Sequence, residues 1–509
     1  MNFINEKQFR KLRDELNGIL IESNNKERIS IPWLHLIRAH PIFLNRYSNL
    51  YSKKNPINFF SKIYYFFLQK ITWFYILFGS FFRTNKNSWF GSDELPKNID
   101  YLFYSFIGNP NQFQNKDDFY FGKIPSALQQ NNKKVVVAIT CLFKNRVKHF
   151  KNYFKKKSYA QVYFSKFLSV KQEIKIHGLL KKESNILKRE SSLVNGVFKN
   201  KILNIASKKA LLFGSHSNLR LYFQFIELLN KTKPKVVVLL FEGHAYERLI
   251  LSAVRKTFPK TVCISYQHSG VFKFSNSIKL KLKKEFNPDI ILSSGISGKN
   301  ELEKEIELRK IIKGVLGSSR GIVNSKYTIK KTENNYTCLV IPEGLVNECI
   351  SLFTFSLKCA KVSPNIKFIW RLHPLITFDK LKLKSNIFIN LPSNIILSTN
   401  SIENDIEISK WILYRGSSAV FKGISFGLRP LYFNITNQIC IDPLYKLNDF
   451  KVSLNNVKEF IEITSDDIKK NFKSHKNYLN NNIAFCKNNF GEIDISVFDK
   501  VLNNELQKL

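Results

Sequence analysis

A chain of 509 residues is too long for a single hydrophobic core and long enough for two domains with extensions. Lys and Arg number 80 against 39 Asp and Glu, and the formal net charge of +41 suits an anionic partner. The basic residues are spread among many Asn and Ile and 45 Phe, as in the product of an AT-rich genome; with no recognisable nucleic-acid module, nucleic acid is excluded as the expected partner.

The opening "MNFINEKQFRKLRDEL" is polar and charged, so no secretory signal is expected and the chain reads as cytoplasmic. Residues 1–97 read as an N-terminal helical extension. Within it, "FFSKIYYFFLQKITWFYILFGSFF" (Phe59 to Phe82) is interrupted by Lys62 and Lys70, and its longest uncharged run, Ile71 to Phe82, is too short to span a bilayer. Its aromatics with flanking lysines fit either an interfacial helix on an anionic membrane surface, at the inner face of a plasma membrane, or a buried core helix.

From about Asp100 the pattern changes to short apolar runs separated by amphipathic stretches. "YLFYSFIG", "KVVVAITCLF", "ALLFGS" (from Ala210), "KVVVLLFEG", "TVCISYQHS" and "DIILSSG" read as strands covered on both faces, and so as a parallel α/β domain over 98–330. A basic, helical-looking insertion is placed at about 144–208, and "ELEKEIELRKIIKGVLGSSRG" reads as a helix followed by a loop. A second series, "YTCLVIPEG", "KFIWRLHP", "NIILST", "KWILYRGSS" and "LRPLYFN", gives a second α/β domain over 331–455, with a helical region at 456–509. The expected fold class is α/β, two Rossmann-like domains facing a cleft. The seven cysteines, with no Cys-x-x-Cys pair, read as reduced core residues.

In such folds ligands bind beyond the carboxyl ends of the strands. The residues that directly follow apolar runs are therefore the candidates: Glu242-Gly243-His244, Gln267-His268-Ser269, Pro342-Glu343-Gly344, Arg371 with His373-Pro374, and Arg415-Gly416-Ser417-Ser418. In "RGSSAVFKGISFG", Gly416 permits a tight turn, and Ser417 and Ser418 offer hydroxyl donors while capping the next helix, a combination suited to phosphate. The same serines would serve as plain caps without a ligand. Glu242 can take a proton from an attacking hydroxyl, with His244 as the competing base and His268 close enough to share the site. Glu247 and Arg248 read as a structural pair or as substrate-orienting groups. His40-Pro41 reads as structural. No Asp-x-Asp follows an apolar strand, so no metal and no cofactor is expected; a leaving phosphate would be neutralised by His, Arg and hydroxyl groups.

An acidic residue before Gly, then His-Pro, then Ser-Ser, resembles the three-motif pattern of bacterial sialyltransferases and polysialyltransferases, which have the GT-B fold. The wider wording, "WLHLIRAHP", "FEGHAYER", "YQHSG", "PEG", "RLHP" and "YRGSSAVFKGISFGLRPLYF", is similar to a family of bacterial surface carbohydrate biosynthesis proteins over most of the chain. The resemblance implies Glu242 as general base, His373 as a donor to the nucleotide phosphate, and Ser417 and Ser418 as phosphate ligands. One departure is that a single acid, in Phe241-Glu242-Gly243, stands where the family has two. The activity implied is an inverting transfer of an acidic sugar from a CMP-type nucleotide sugar to a glycan or lipid-linked acceptor. A teichoic-acid-type polyol-phosphate transferase and a non-catalytic scaffold of a membrane glycan assembly complex are the alternatives.

Overall fold

The structure, a computed structural model, describes residues 4–35, 50–51, 59–83, 88–92, 94–108, 112–113, 115–142, 157–318, 336–373, 376–472, 475 and 477–505. Pro374, His40-Pro41 and all of "KNYFKKK" but its last lysine lie outside the described residues.

Two sheets follow one another along the chain, as the sequence predicts for a GT-B-like pair of Rossmann-like domains. The first contains β1 (Trp89–Gly91), β2 (Tyr101–Ile107), β3 (Val135–Cys141), β4 (Ala160–Phe164), β5 (Val236–Leu240), β6 (Val262–Gln267), β7 (Ile290–Ser293) and β8 (Ile312–Val315). Their order is β1-β4-β3-β2-β5-β6-β7-β8, parallel throughout except for β1 against β4. The second contains β9 (Thr337–Ile341), β10 (Lys367–Trp370), β11 (Ile395–Leu397), β12 (Trp411–Tyr414), β13 (Arg429–Phe433) and β14 (Val452–Leu454), ordered β11-β10-β9-β12-β13-β14 and wholly parallel. Unbroken apolar runs such as Val236–Leu240 and Thr337–Ile341 are buried at every residue, because helices cover both faces.

The two sheets share one winding. Edge strand β1 apart, each begins with a central strand, adds two strands on one side, then crosses over and continues on the other. The order reverses between β2 and β5 in the first sheet and between β9 and β12 in the second. At such a point the chains leave neighbouring strands toward opposite faces and open a crevice at the carboxyl edge.

Three readings of the sequence change. "ALLFGS" is not a strand: it leads into the helix Phe213–Thr232, whose long amphipathic pattern outweighs the short apolar run. "ELEKEIELRKIIKGVL" is α-helical only in its first three residues, the end of the helix Ile296–Glu303; its β-branched end, Ile312–Val315, forms edge strand β8. The stretch 144–208 is not a wholly helical insertion, since Ala160–Phe164 is β4, paired between β1 and β3 of the first sheet. Its helix Val170–Leu193 packs beside the helix Phe213–Thr232, and Val197–Lys209 packs on Val170–Leu193.

The N-terminal helix Glu6–Ile21 contributes Phe9, Leu12 and Leu16 to the same apolar cluster as Leu102 and Val237 of the first sheet. At the other end, the helix Leu479–Asn489 leans on the second domain, with Phe485 stacked on Phe421 at 5.9 Å. The chain then returns to the first domain, where Phe498 of the helix Ser496–Leu502 lies edge-on to Tyr101 at 5.6 Å. The C-terminal helices thus tie the two sheets together.

The aromatic stretch is a helix, Phe59–Phe81. Thr72, Ile76 and Ser80 are buried on one side, and Trp73 stacks on His177 at 4.1 Å. The opposite side carries exposed aromatics, so the core-helix reading holds for one face only. Among the described residues, no helix is long and apolar enough to cross a membrane.

Candidate active site

Glu242 follows β5, at the reversal point of the first sheet. Gly243 turns the chain there with φ +83°, and a Cβ on it would run into the Ser277 carbonyl, so only glycine fits. The turn is fixed by Glu247, in the first turn of the helix Ala245–Thr257. Its buried Oε2 accepts the backbone N–H groups of Glu242, Gly243 and His244 at 2.9, 2.7 and 2.8 Å. Burial nevertheless raises the Glu247 pKa. Arg248 is buried as well, donating to the carbonyls of Ser277, Leu280 and Phe286 and to Asn287 Oδ1. Both residues build the loop; neither is presented to a substrate.

The Glu242 carboxylate is partly exposed. His244 Nε2 lies 3.0 Å from its Oε2, Ser269 Oγ donates to its Oε1 at 2.8 Å, and His268 Nε2 stands 4.0 Å from Oε1. Burial alone would raise its pKa, but the His244 hydrogen bond, the nearby His268 and the Ser269 hydroxyl outweigh burial and hold it well below the usual carboxylate range. Tyr120 meets the His268 ring edge-on at 5.0 Å. The three candidates Glu242, His244 and His268 are thus brought together, with Ser269 and Tyr120 as further members. Tyr120 comes from the chain beyond β2, the other strand of the reversal, and nothing in its local sequence signals that.

In the second domain, Glu343 and Gly344 follow β9, Arg371 and His373 follow β10, and Arg415 to Ser418 follow β12, three adjacent strands with all these loops at one edge. The His373 ring lies against Gly344: a Cβ on that glycine would sit 2.9 Å from Nδ1. Burial lowers the His373 pKa, with Glu343 opposing, which favours the neutral imidazole. Ser417 is buried and Ser418 exposed. Neither caps the following helix, Val420–Ser425, whose N-cap is Ala419 with no side-chain bond. The expected capping role is therefore absent.

Two expected phosphate ligands are engaged elsewhere. Arg415 turns inward to a buried ion pair with Glu348, and donates to the Phe433 carbonyl at 3.2 Å and to Gln438 Oε1 at 2.8 Å. It clasps the helix Val346–Val362 to the loop after β12, across the reversal point. Arg371 Nη1 donates to Asp405 Oδ2 and to the Asn400 carbonyl at 2.8 and 2.7 Å. Asp405 is fully buried. An inward and an outward arginine look alike in sequence, and Glu348 is 67 residues from its partner.

The two halves approach one another at Gly270, directly after Ser269. A Cβ there would lie 3.9 Å from the Phe421 ring, three residues beyond Ser418. Lys446 of the second domain also meets Glu301 of the first at 2.5 Å. Among the described residues, no group of three or more His, Cys, Asp or Glu side chains is gathered to hold a metal ion.

No family model matches the chain, and no curated protein matches it. Among solved structures, it is similar to UDP-GlcNAc 2-epimerase from Neisseria meningitidis bound to UDP-GlcNAc, with 14% identity, a TM-score of 0.45, and coverage of 80% of this chain and 100% of that one. It is also similar to an α,α-trehalose-phosphate synthase (UDP-forming) from Burkholderia vietnamiensis, with 10% identity, a TM-score of 0.46, and coverage of 81% and 100%. Likeness at this level carries no activity across.

Proposed function

We propose that the protein is an inverting, metal-independent glycosyltransferase of bacterial surface polysaccharide biosynthesis, working at the cytoplasmic side of the membrane. Its donor is a nucleotide sugar, an acidic sugar on CMP, and its acceptor a glycan or lipid-linked glycan. The observation that carries this reading is that a carboxylate–histidine pair occupies the reversal point of one sheet, while the Gly-Ser-Ser loop follows β12 at the reversal point of the other, with His373 against Gly344 of the adjoining β9 loop.

The donor phosphate would lie against the Ser417 and Ser418 hydroxyls and the neutral His373, which donates one hydrogen bond. Glu242 takes the proton of the acceptor hydroxyl as the acceptor oxygen attacks the anomeric carbon. The depressed, partly exposed carboxyl releases that proton to solvent, while the 3.0 Å contact with His244 Nε2 holds the carboxylate in place. The new glycosidic C–O bond forms as the bond to the phosphate oxygen breaks, and CMP leaves with the electron pair. Closure of the two domains would bring the halves into register.

A thermal-shift panel of CMP, UDP, GDP and CDP tests the donor half. Ligands that bind only the folded chain raise its Tm. CMP is expected to give the largest shift, and Ser417→Ala/Ser418→Ala to weaken binding by about tenfold or more, as for lost hydrogen bonds to a charged group. No shift with any nucleotide would refute the reading, leaving the scaffold. A product whose mass records a phosphodiester would replace it with polyol-phosphate transfer.

A further inference from the structure

The helix Phe59–Phe81 has no part in the chemistry above, yet it carries a dense run of exposed large hydrophobic side chains. Phe60, Tyr64, Phe67, Ile71, Phe74, Phe78 and Phe81 recur every three or four residues, all on one side, and are between 56% and 77% exposed. A contiguous apolar stripe of this length on a soluble surface marks a docking site. The opposite side is anchored: Trp73 stacks on His177, Gln69 Nε2 donates to the Lys208 carbonyl at 2.8 Å, and Gly79 abuts Phe167. The helix is thus held with its aromatics outward.

Charge identifies the occupant. Lys62 and Lys70 are exposed on the helix itself, and Lys166 donates to Tyr75 Oη at 2.5 Å. The carboxylates of the neighbouring helix Val170–Leu193 are engaged by arginines: Glu183 and Glu190 by Arg28, Glu173 by Arg220. Among the described residues, no carboxylate is within ion-pair distance of Lys62 or Lys70. Two copies meeting through this face would oppose these lysines on chains already carrying +41. An anionic surface neutralises them.

We propose that this helix lies in the plane of an anionic lipid membrane, with its aromatic stripe in the headgroup–acyl boundary and its lysines on the lipid phosphates. The helix is about 34 Å long at 1.5 Å per residue. It docks along its length, since no helix among the described residues is long and apolar enough to cross. The docking is independent of the glycosyl-transfer reading: it requires no nucleotide, and transfer requires no vesicle.

The test is co-sedimentation of the full chain with phosphatidylcholine vesicles, with and without phosphatidylglycerol. Binding to the phosphatidylglycerol vesicles, and weak binding to phosphatidylcholine alone, is expected. Phe67→Ser/Phe74→Ser/Phe78→Ser should leave the protein in the supernatant with its Tm and nucleotide response unchanged. Lys62→Gln/Lys70→Gln should weaken binding to the anionic vesicles by about 30-fold, from the usual contribution of a lysine near such a surface. Failure of the wild type to sediment, or sedimentation that survives the triple serine change, would overturn the proposal. So would a dimer in light scattering that the serine changes dissociate, which would assign the face to a second copy of the chain.

Discussion

Glu242 carries the chemical argument at the residue scale. Its carboxyl is depressed by His244, His268 and Ser269, so it stays ionised through the neutral range and its contribution to stability is lost only as pH falls below its ordinary value of 4.5. Glu242→Gln should lower kcat by roughly 100- to 10,000-fold while leaving the CMP-induced Tm shift intact, measured by turnover and thermal shift on one preparation. Turnover within a few-fold of the wild type would remove Glu242 as base. Gly243→Ala should cost at least about 2 kcal/mol in urea unfolding, because a left-handed backbone and a backbone collision act together. Glu242, His373 and Ser417 were legible because each follows an apolar run ending in Gly or Pro chemistry. The inward turn of Arg415 was not, since only the fold brings Glu348 beneath it.

Between elements, the Glu348–Arg415 pair clasps the helix after β9 to the loop after β12. Both side chains are buried, so removing one leaves an uncompensated charge. Arg415→Met should cost about 3–5 kcal/mol, whereas Glu348→Leu/Arg415→Met should cost clearly less than the two single changes summed, as a double-mutant cycle in urea reads directly. Additive losses would show that the pair is not a coupled clasp. Most strands were legible from apolar runs. β8 was missed because Glu–Lys spacing in "ELEKEIELRK" imitates a longer helix, and β4 because a basic stretch surrounds it. Local pattern decides neither, since edge strands and helix ends are settled by what they pair with.

For the whole molecule, the shared winding is the feature no sequence pattern displayed: strand order is a property of pairing, and it alone places Glu242 and Ser417 at equivalent crevices. Acid stability is a property of this scale too. Burial pushes His35 down to about 3 and His216 down to about 4. The folded chain keeps both neutral while the unfolded chain protonates them near their ordinary value of about 6.5, so the unfolded state binds more protons and stability falls as pH drops from 6.5 toward 4. The urea midpoint should decline across that window, and His216→Gln should flatten the slope; a midpoint constant from pH 6.5 to 4 would contradict those burials. The claim on which the account turns is that the two crevices serve one ligand. A crystal structure with CMP bound tests it most directly. The phosphate is expected within hydrogen-bond distance of Ser417 and His373, with the sugar side open toward Glu242. A phosphate bound away from the β9–β12 crevice, or with Glu242 turned from it, would contradict it.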